Sequence, residues 1–147
     1  MASSDDPPAV DGLRQALARM GDRWTLLVVQ SLLAGPRRFN DLQQGLSGIA
    51  STVLTQRLRQ LERDGLVVAE AYSARPLRYA YRLTATGAAL AGALRLLAHW
   101  GADTGEGTEG AAPIAHEACG TPAEARWWCP TCDRVVDDDE LHHLEWL

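Results

Sequence analysis

The chain has 147 residues, enough for one buried core and a small appendage. Its formal net charge of −5 argues, taken alone, against a nucleic-acid partner. That charge is divided, however: residues 1–100 carry 12 arginines against eight carboxylates (+4), and residues 101–147 carry two against eleven (−9). A basic body with an acidic tail remains compatible with DNA, because local potential steers an encounter.

There is no lysine, so every fixed positive side chain is a guanidinium, the group suited to bidentate phosphate and guanine contacts. Residues 1–8 are expected to be disordered, and MASSDDPPAV lacks the basic start and apolar run of a secretory signal. The apolar run from Ala88 to Trp100 is short for a membrane span and holds Arg95 and His99. The three cysteines all lie after residue 118, an arrangement that suits a reducing cytoplasm better than a disulfide framework.

Val10, Leu13, Leu17 and Met20 recur at helical spacing, so a first helix is expected up to Gly21. A second should run from about Arg23 to Ala34, with Trp24, Leu27, Val28 and Leu32 on its apolar side, and stop at Gly35-Pro36. A short third covers about Phe39 to Leu46. Ser51 is expected to cap a fourth helix that runs to about Asp64 and stops at Gly65. Leu54, Leu58 and Leu61 form its buried stripe. The opposite face is then Thr52, Gln56, Arg59 and Arg63, with Gln60 beside it and no carboxylate.

Leu66–Tyr72 and Arg78–Thr84 read as two strands with residues 73–77 at the hairpin tip. Thr84 can cap a fifth helix from about Ala85 to Trp100. Its Leu90/Leu94/Leu97 row and its Ala89/Ala93/Leu96/Trp100 row leave almost no polar face. Such a helix must be buried, and the same helix of a second copy is the simplest cover. Leu90, Leu94, Leu97 and Trp100 are the expected dimer contacts.

This order gives an α+β fold, a winged helix-turn-helix: mainly helical, with a β-hairpin wing, a C-terminal helix for dimerisation and a small Cys/His tail. Its expected domains are residues 9–101, a linker over 102–113 and the tail over 114–147. The fold serves to lay one helix in a DNA groove. No nucleophile–base pair, phosphate loop or open metal site suggests an enzyme.

The stretches GDRWTLL (21–27), GPRRFNDL (35–42), VLTQRLRQLERDGL (53–66) and YRLTATG (81–87) resemble the signature of HxlR-type transcriptional regulators, a group within the MarR-like winged helices. The resemblance covers about residues 10–101. It implies a homodimer whose fourth helix (51–64) enters the major groove of double-stranded DNA while the wing (73–78) touches the flanking minor groove or backbone. On that footing Thr52, Gln56 and Arg59, with Ser51 and Thr55 beside them, face the base edges. Arg38, Arg63, Arg75 and Arg78 meet phosphates or the minor groove. Arg57, near the flank of the leucine stripe, either reaches a phosphate or pairs with an acid such as Asp41.

Many members of that family sense quinones, aldehydes or oxidants through a cysteine thirteen residues before the tryptophan. Here that position is Asp11, so thiol sensing by that route is not carried over. A small-molecule effector is compatible with the architecture, yet no residue set marks one.

His116-x-x-Cys119 and Cys129-x-x-Cys132 are two short knuckles separated by nine residues, with the spacing and donor set of a tetrahedral Zn²⁺ site. Four protein ligands would make the site closed and structural. His142 and His143 are spare donors. HEACG…CPTC is also similar to a zinc-ribbon-like extension on some members of the same family, in which Gly usually follows the last cysteine; here Asp133 does. The acidic run Asp137–Glu140 is read as solvated. Sequence-specific regulation of transcription, as a repressor, is the expected function. The alternative is a protein-interaction module of the transcription machinery, acting through the winged helix or the acidic tail.

Overall fold

The computed structural model describes residues 8–104 and 115–140. Residues 1–7, most of the expected linker, and His142 and His143 therefore lie outside the described residues. The chain divides into two compact units, one ending at Leu94 and one beginning at Arg95.

In the first unit, α1 spans Pro8–Met20, α2 Arg23–Leu33, β1 Arg37–Arg38, α3 Phe39–Gly45 and α4 Ser51–Arg63. The wing follows as β2 (Val67–Ala74) and β3 (Leu77–Leu83), then α5 (Ala85–Ala88) and α6 (Ala91–Thr104), which runs on into the second unit. The sheet is antiparallel in the order β1-β3-β2, with Arg37 opposite Tyr81 and Val67 opposite Leu83. Helices α2, α3 and α4 followed by the β2–β3 hairpin are the expected α+β winged helix-turn-helix.

The core forms where the three helices meet the base of the sheet. Leu54, Leu58 and Leu61 of α4 are fully buried there against α2, Leu42 of α3, and Leu66 and Val67, as the leucine spacing requires. At the end of α4 the amide of Gly65 donates to Glu62 O at 3.1 Å and that of Leu66 to Leu61 O at 2.9 Å. Gly65 sits at φ +70. This paired closure with a left-handed residue ends the helix and turns the chain into the wing.

Four expectations are corrected. The fully buried stripe of α2 is Thr25, Val28, Val29 and Leu32; Trp24 packs half-buried against the core as expected, and Leu27 falls off the stripe. Leu27 is 37% exposed. Asp22 sets this rotation, because it caps the helix and accepts the Thr25 hydroxyl, so a polar residue faces inward with its hydrogen bond made. Secondly, the N-cap of α4 is Ala50, whose carbonyl accepts from the Leu54 amide at 3.0 Å. Ser51 is the first helical residue, and its hydroxyl is not the cap.

Thirdly, the hairpin tip is only Arg75-Pro76, across a cis bond, with Ser73, Ala74 and Leu77 absorbed into the strands and a bulge near Tyr72. Finally, the expected helix from Ala85 to Trp100 is two helices. Thr84 caps the first through the Gly87 amide (3.1 Å) while its hydroxyl donates to Gly65 O (2.6 Å). The Leu90 amide then closes on Gly87 O, a three-residue step that breaks the ladder.

The second unit contains the end of α6, a hairpin of β4 (Trp127–Cys129) and β5 (Arg134–Val136), and a 3₁₀ turn at Asp138–Glu140. Trp127 and Trp128 are 61% and 56% exposed. Among the described residues no helix is long and apolar enough to cross a membrane.

Candidate nucleic-acid interface

Because α4 is fixed by its leucines, its other face is presented outward. Ser51, Thr52, Gln56, Arg59 and Arg63 are all exposed there, and Thr55 is half-buried. The Thr55 hydroxyl donates to Ser51 O at 2.8 Å, a bond inside the helix that leaves only its oxygen for a ligand. At the C-terminal end, Arg63 donates to Gln60 Oε1, and the Gln60 amide donates to both Asp64 oxygens at 3.0 and 2.9 Å. Arg63 is thereby tethered, and the Gln60 side chain is occupied in the tether. Among the described residues Arg59 has no such tether, so its whole guanidinium fork is left to offer.

A carboxylate that sequence reasoning missed holds this helix in place. Asp22 Oδ1 accepts from the amides of Trp24 (3.0 Å) and Thr25 (3.1 Å), and its other oxygen accepts from the Thr25 hydroxyl. Arg57 of α4 brings Nε to 3.3 Å from Oδ1. The approach is an ion pair off the hydrogen-bond line, since this buried Nε makes no hydrogen bond. Arg57 thus pairs with an acid, but with Asp22 rather than Asp41, which instead accepts from the Arg38 amide at 3.2 Å. The clue in sequence was Asp22 standing directly before a helix with Thr three residues on, a capping pattern.

Burial pushes the Asp22 carboxyl up, but the Thr25 hydroxyl, the two amides and the Arg57 charge outweigh it and hold it below the ordinary value of 3.8. A carboxyl depressed in the folded state stabilises above its unfolded value, and that stability is lost as pH falls through the folded one. Asp22→Ala is therefore expected to cost about 1 kcal/mol near neutrality, the usual worth of an N-cap. Urea unfolding should show the gap between variant and parent narrowing as pH falls below about 5; a gap that stays constant on acidification would remove Asp22 as a charged clamp.

The wing supplies the remaining cations. Arg75 and Arg78 are exposed at and beside its tip. Arg38 lies with its guanidinium 4.4 Å from the centre of the Tyr72 ring, a cation–π contact that ties the start of α3 to the wing. Arg38, Asn40, Arg78 and three tyrosines (72, 79 and 81) line an open cleft of about 510 Å³ between α3 and the hairpin. Glu70 engages Arg82 at 2.6 Å, so Arg82 is committed within the sheet. Arg38, Arg75 and Arg78 are all exposed, Arg38 while it rests on Tyr72.

Of the four expected dimer contacts, Leu94 is buried in the core of its own chain and Leu90 packs against that core. Leu97 and Trp100 are exposed on α6. The expected metal ligands lie in the second unit: His116, Cys119 and Cys132 are exposed and Cys129 is half-buried. They stand as two pairs; among the described residues no three His, Cys, Asp or Glu side chains share a point where one ion could sit. Hydrogen bonds from Thr121 and from His116 hold the Cys119 thiol below its usual range. The amide and thiol of Cys132 do the same for Cys129, and Cys132 is raised in turn by Cys129.

The HxlR-like helix-turn-helix family matches residues 19–109. An HTH-type transcriptional regulator of Mycobacterium tuberculosis is 38% identical over 139 residues, which are 92% of this chain and 87% of the relative, so the similarity reaches into the second unit. Among solved structures, a transcription factor of Pseudomonas aeruginosa aligns at TM-score 0.64 with 30% identity, covering 86% of each chain. The reduced form of the transcriptional regulator YodB from B. subtilis aligns at 0.57 with 25% identity, covering 72% of this chain and 97% of that one.

Proposed function

Since the chain belongs to the HxlR-like helix-turn-helix family, we propose that it is a sequence-specific DNA-binding transcriptional regulator that works as a homodimer and represses by occluding a promoter. The observation that carries this reading is the outward face of α4. There Thr52, Gln56, Arg59 and Arg63 present hydroxyl, amide and guanidinium groups, on a helix pinned by three buried leucines and clamped through Arg57. In the major groove such groups meet base edges, while Arg75 and Arg78 of the wing and Arg38 meet phosphates. The surplus of acids lies in residues 101–147, so a net charge of −5 is compatible with a basic reading head.

Two such heads in a dimer address half-sites about 34 Å apart, one turn of the duplex. The second copy is called for by apolar surface left open: α1 exposes Leu13 and Leu17, and α6 exposes Leu96 and Leu97. Leu97→Asp is expected to turn a dimer into a monomer in size-exclusion chromatography with light scattering, with the winged helix still folded by circular dichroism. Unchanged mass at micromolar concentration would exclude the α6 interface.

Fluorescence anisotropy on the DNA upstream of the coding sequence, with a scrambled duplex as control, tests the whole reading. Tight binding that weakens steeply with salt and keeps a preference for the native sequence is expected. Weak binding equal on both duplexes would mean that the chain does not read DNA sequence by itself.

A further inference from the structure

The second unit repeats one small backbone design twice. In the first copy His116 and Cys119 stand at the ends of a tight turn, Gly120 follows at φ +70, and the His116 amide donates to Thr121 O at 2.9 Å. In the second, Cys129 and Cys132 stand at the ends of the turn between β4 and β5, Asp133 follows at φ +53, and Cys129 pairs with Arg134. Each turn therefore closes residue i on residue i+5 and uses a left-handed residue directly after its second donor. Asp133 is the sole residue other than glycine with positive φ among the described residues. That conformation is unfavourable for a side chain with a Cβ, so a requirement for the turn itself must outweigh it.

The turns also direct donors at the sulfurs. Backbone amides of Thr131 and Cys132 point at Cys129 Sγ and that of Thr121 at Cys119 Sγ, an arrangement that offsets negative charge on sulfur. In the first turn Nδ1 of His116 is 3.3 Å from Cys119 Sγ. Zn–N near 2.05 Å and Zn–S near 2.3 Å at a tetrahedral angle put nitrogen and sulfur about 3.6 Å apart, so this pair already spans roughly one edge of such a site. Among the described residues around the turns Trp127, Trp128 and Val135 are all exposed, so these residues form no apolar core to hold them. A unit of this size without a core calls for a staple.

We propose that His116, through Nδ1, and Cys119, Cys129 and Cys132 bind one Zn²⁺ in a closed tetrahedral S₃N site, and that the ion draws the two turns together. Four protein ligands leave no position for water, so the ion's role is structural. The three thiols and the imidazole must give up their protons or keep the coordinating nitrogen free, so binding weakens as pH falls. The unit is thus folded by metal, independently of the DNA-reading head.

The full-length chain, purified without added metal and then given zinc sulfate or cobalt chloride, tests this. About one ion per chain is expected, and cobalt should give the strong visible bands of a tetrahedral centre together with thiolate-to-metal charge transfer. His116→Ala, Cys119→Ser, Cys129→Ser and Cys132→Ser should each reduce retained metal to under about a tenth in competition with a chelator. Because loss of metal in any of these could follow from unfolding of the unit alone, His116→Cys is the second test: it should restore one ion per chain, with stronger charge transfer from a fourth thiolate. One ion per two chains, or retention unaffected by His116→Ala, would overturn the four-ligand site, as would cobalt spectra without charge transfer.

Discussion

Gly87→Ala should lower the unfolding free energy by about 1–3 kcal/mol and Tm by roughly 10 °C, although it replaces a poor helix former by the best one. A Cβ built on Gly87 would stand 2.2 Å from the carbonyl oxygen of Leu66 and 3.1 Å from Cδ2 of Leu83. The oxygen cannot give way freely, because it accepts the Thr84 amide at 3.0 Å where the wing returns to the core. Steric overlap with backbone outweighs the helix preference of about 1 kcal/mol. Gly92, in α6, is the control: its Cβ would meet nothing within 4 Å, so Gly92→Ala should hold or raise Tm. Thermal unfolding of the two variants decides, and equal gains for both would show that α5 does not dock as closely as described.

The second large effect falls on recognition. Arg59→Ala is expected to weaken binding to the operator by about 1–3 kcal/mol, roughly 5- to 150-fold, and to relax preference at one base position. The reason is its freedom: Arg63 is tethered to Gln60 and Arg57 is paired with Asp22, whereas Arg59 is exposed on the face opposite the leucine stripe. Arg75→Ala at the wing tip should instead weaken all duplexes alike and reduce the slope of log affinity against log salt by about 0.9. Anisotropy titrations on operator and scrambled DNA at several salt concentrations separate the two. If Arg59→Ala loses equally on both duplexes, Arg59 contacts backbone and the base-reading role moves to Gln56 or Thr52.

The fold was legible wherever one-dimensional spacing carries the information. Leu54, Leu58 and Leu61 announced both the buried and the reading face of α4, and Gly65 announced its end. The errors arose where a side chain bonds across the structure. Asp22 was unremarkable as one acid among many, yet it caps α2, turns Thr25 inward and reaches Arg57, which changed both the stripe of α2 and the partner of Arg57. The break after α5 was hidden because apolar residues continue through it; the close packing of Gly87 on Leu66 is a tertiary fact that periodicity does not encode. In the second unit the spacing of donors was plain, but the left-handed Asp133 was visible only in the backbone.

The break between α5 and α6 makes a distinct demand on the gene. Beyond it, Leu94 is locked into the body while Leu97 lies exposed three residues later on the same continuous helix. One codon inserted or deleted between them would advance or retard everything downstream by about 100° and 1.5 Å. In the proposed dimer, changes in the length of α6 would put the two halves of an operator out of phase, whereas point substitutions along it can drift, so this segment should accept new letters far more readily than new spacing.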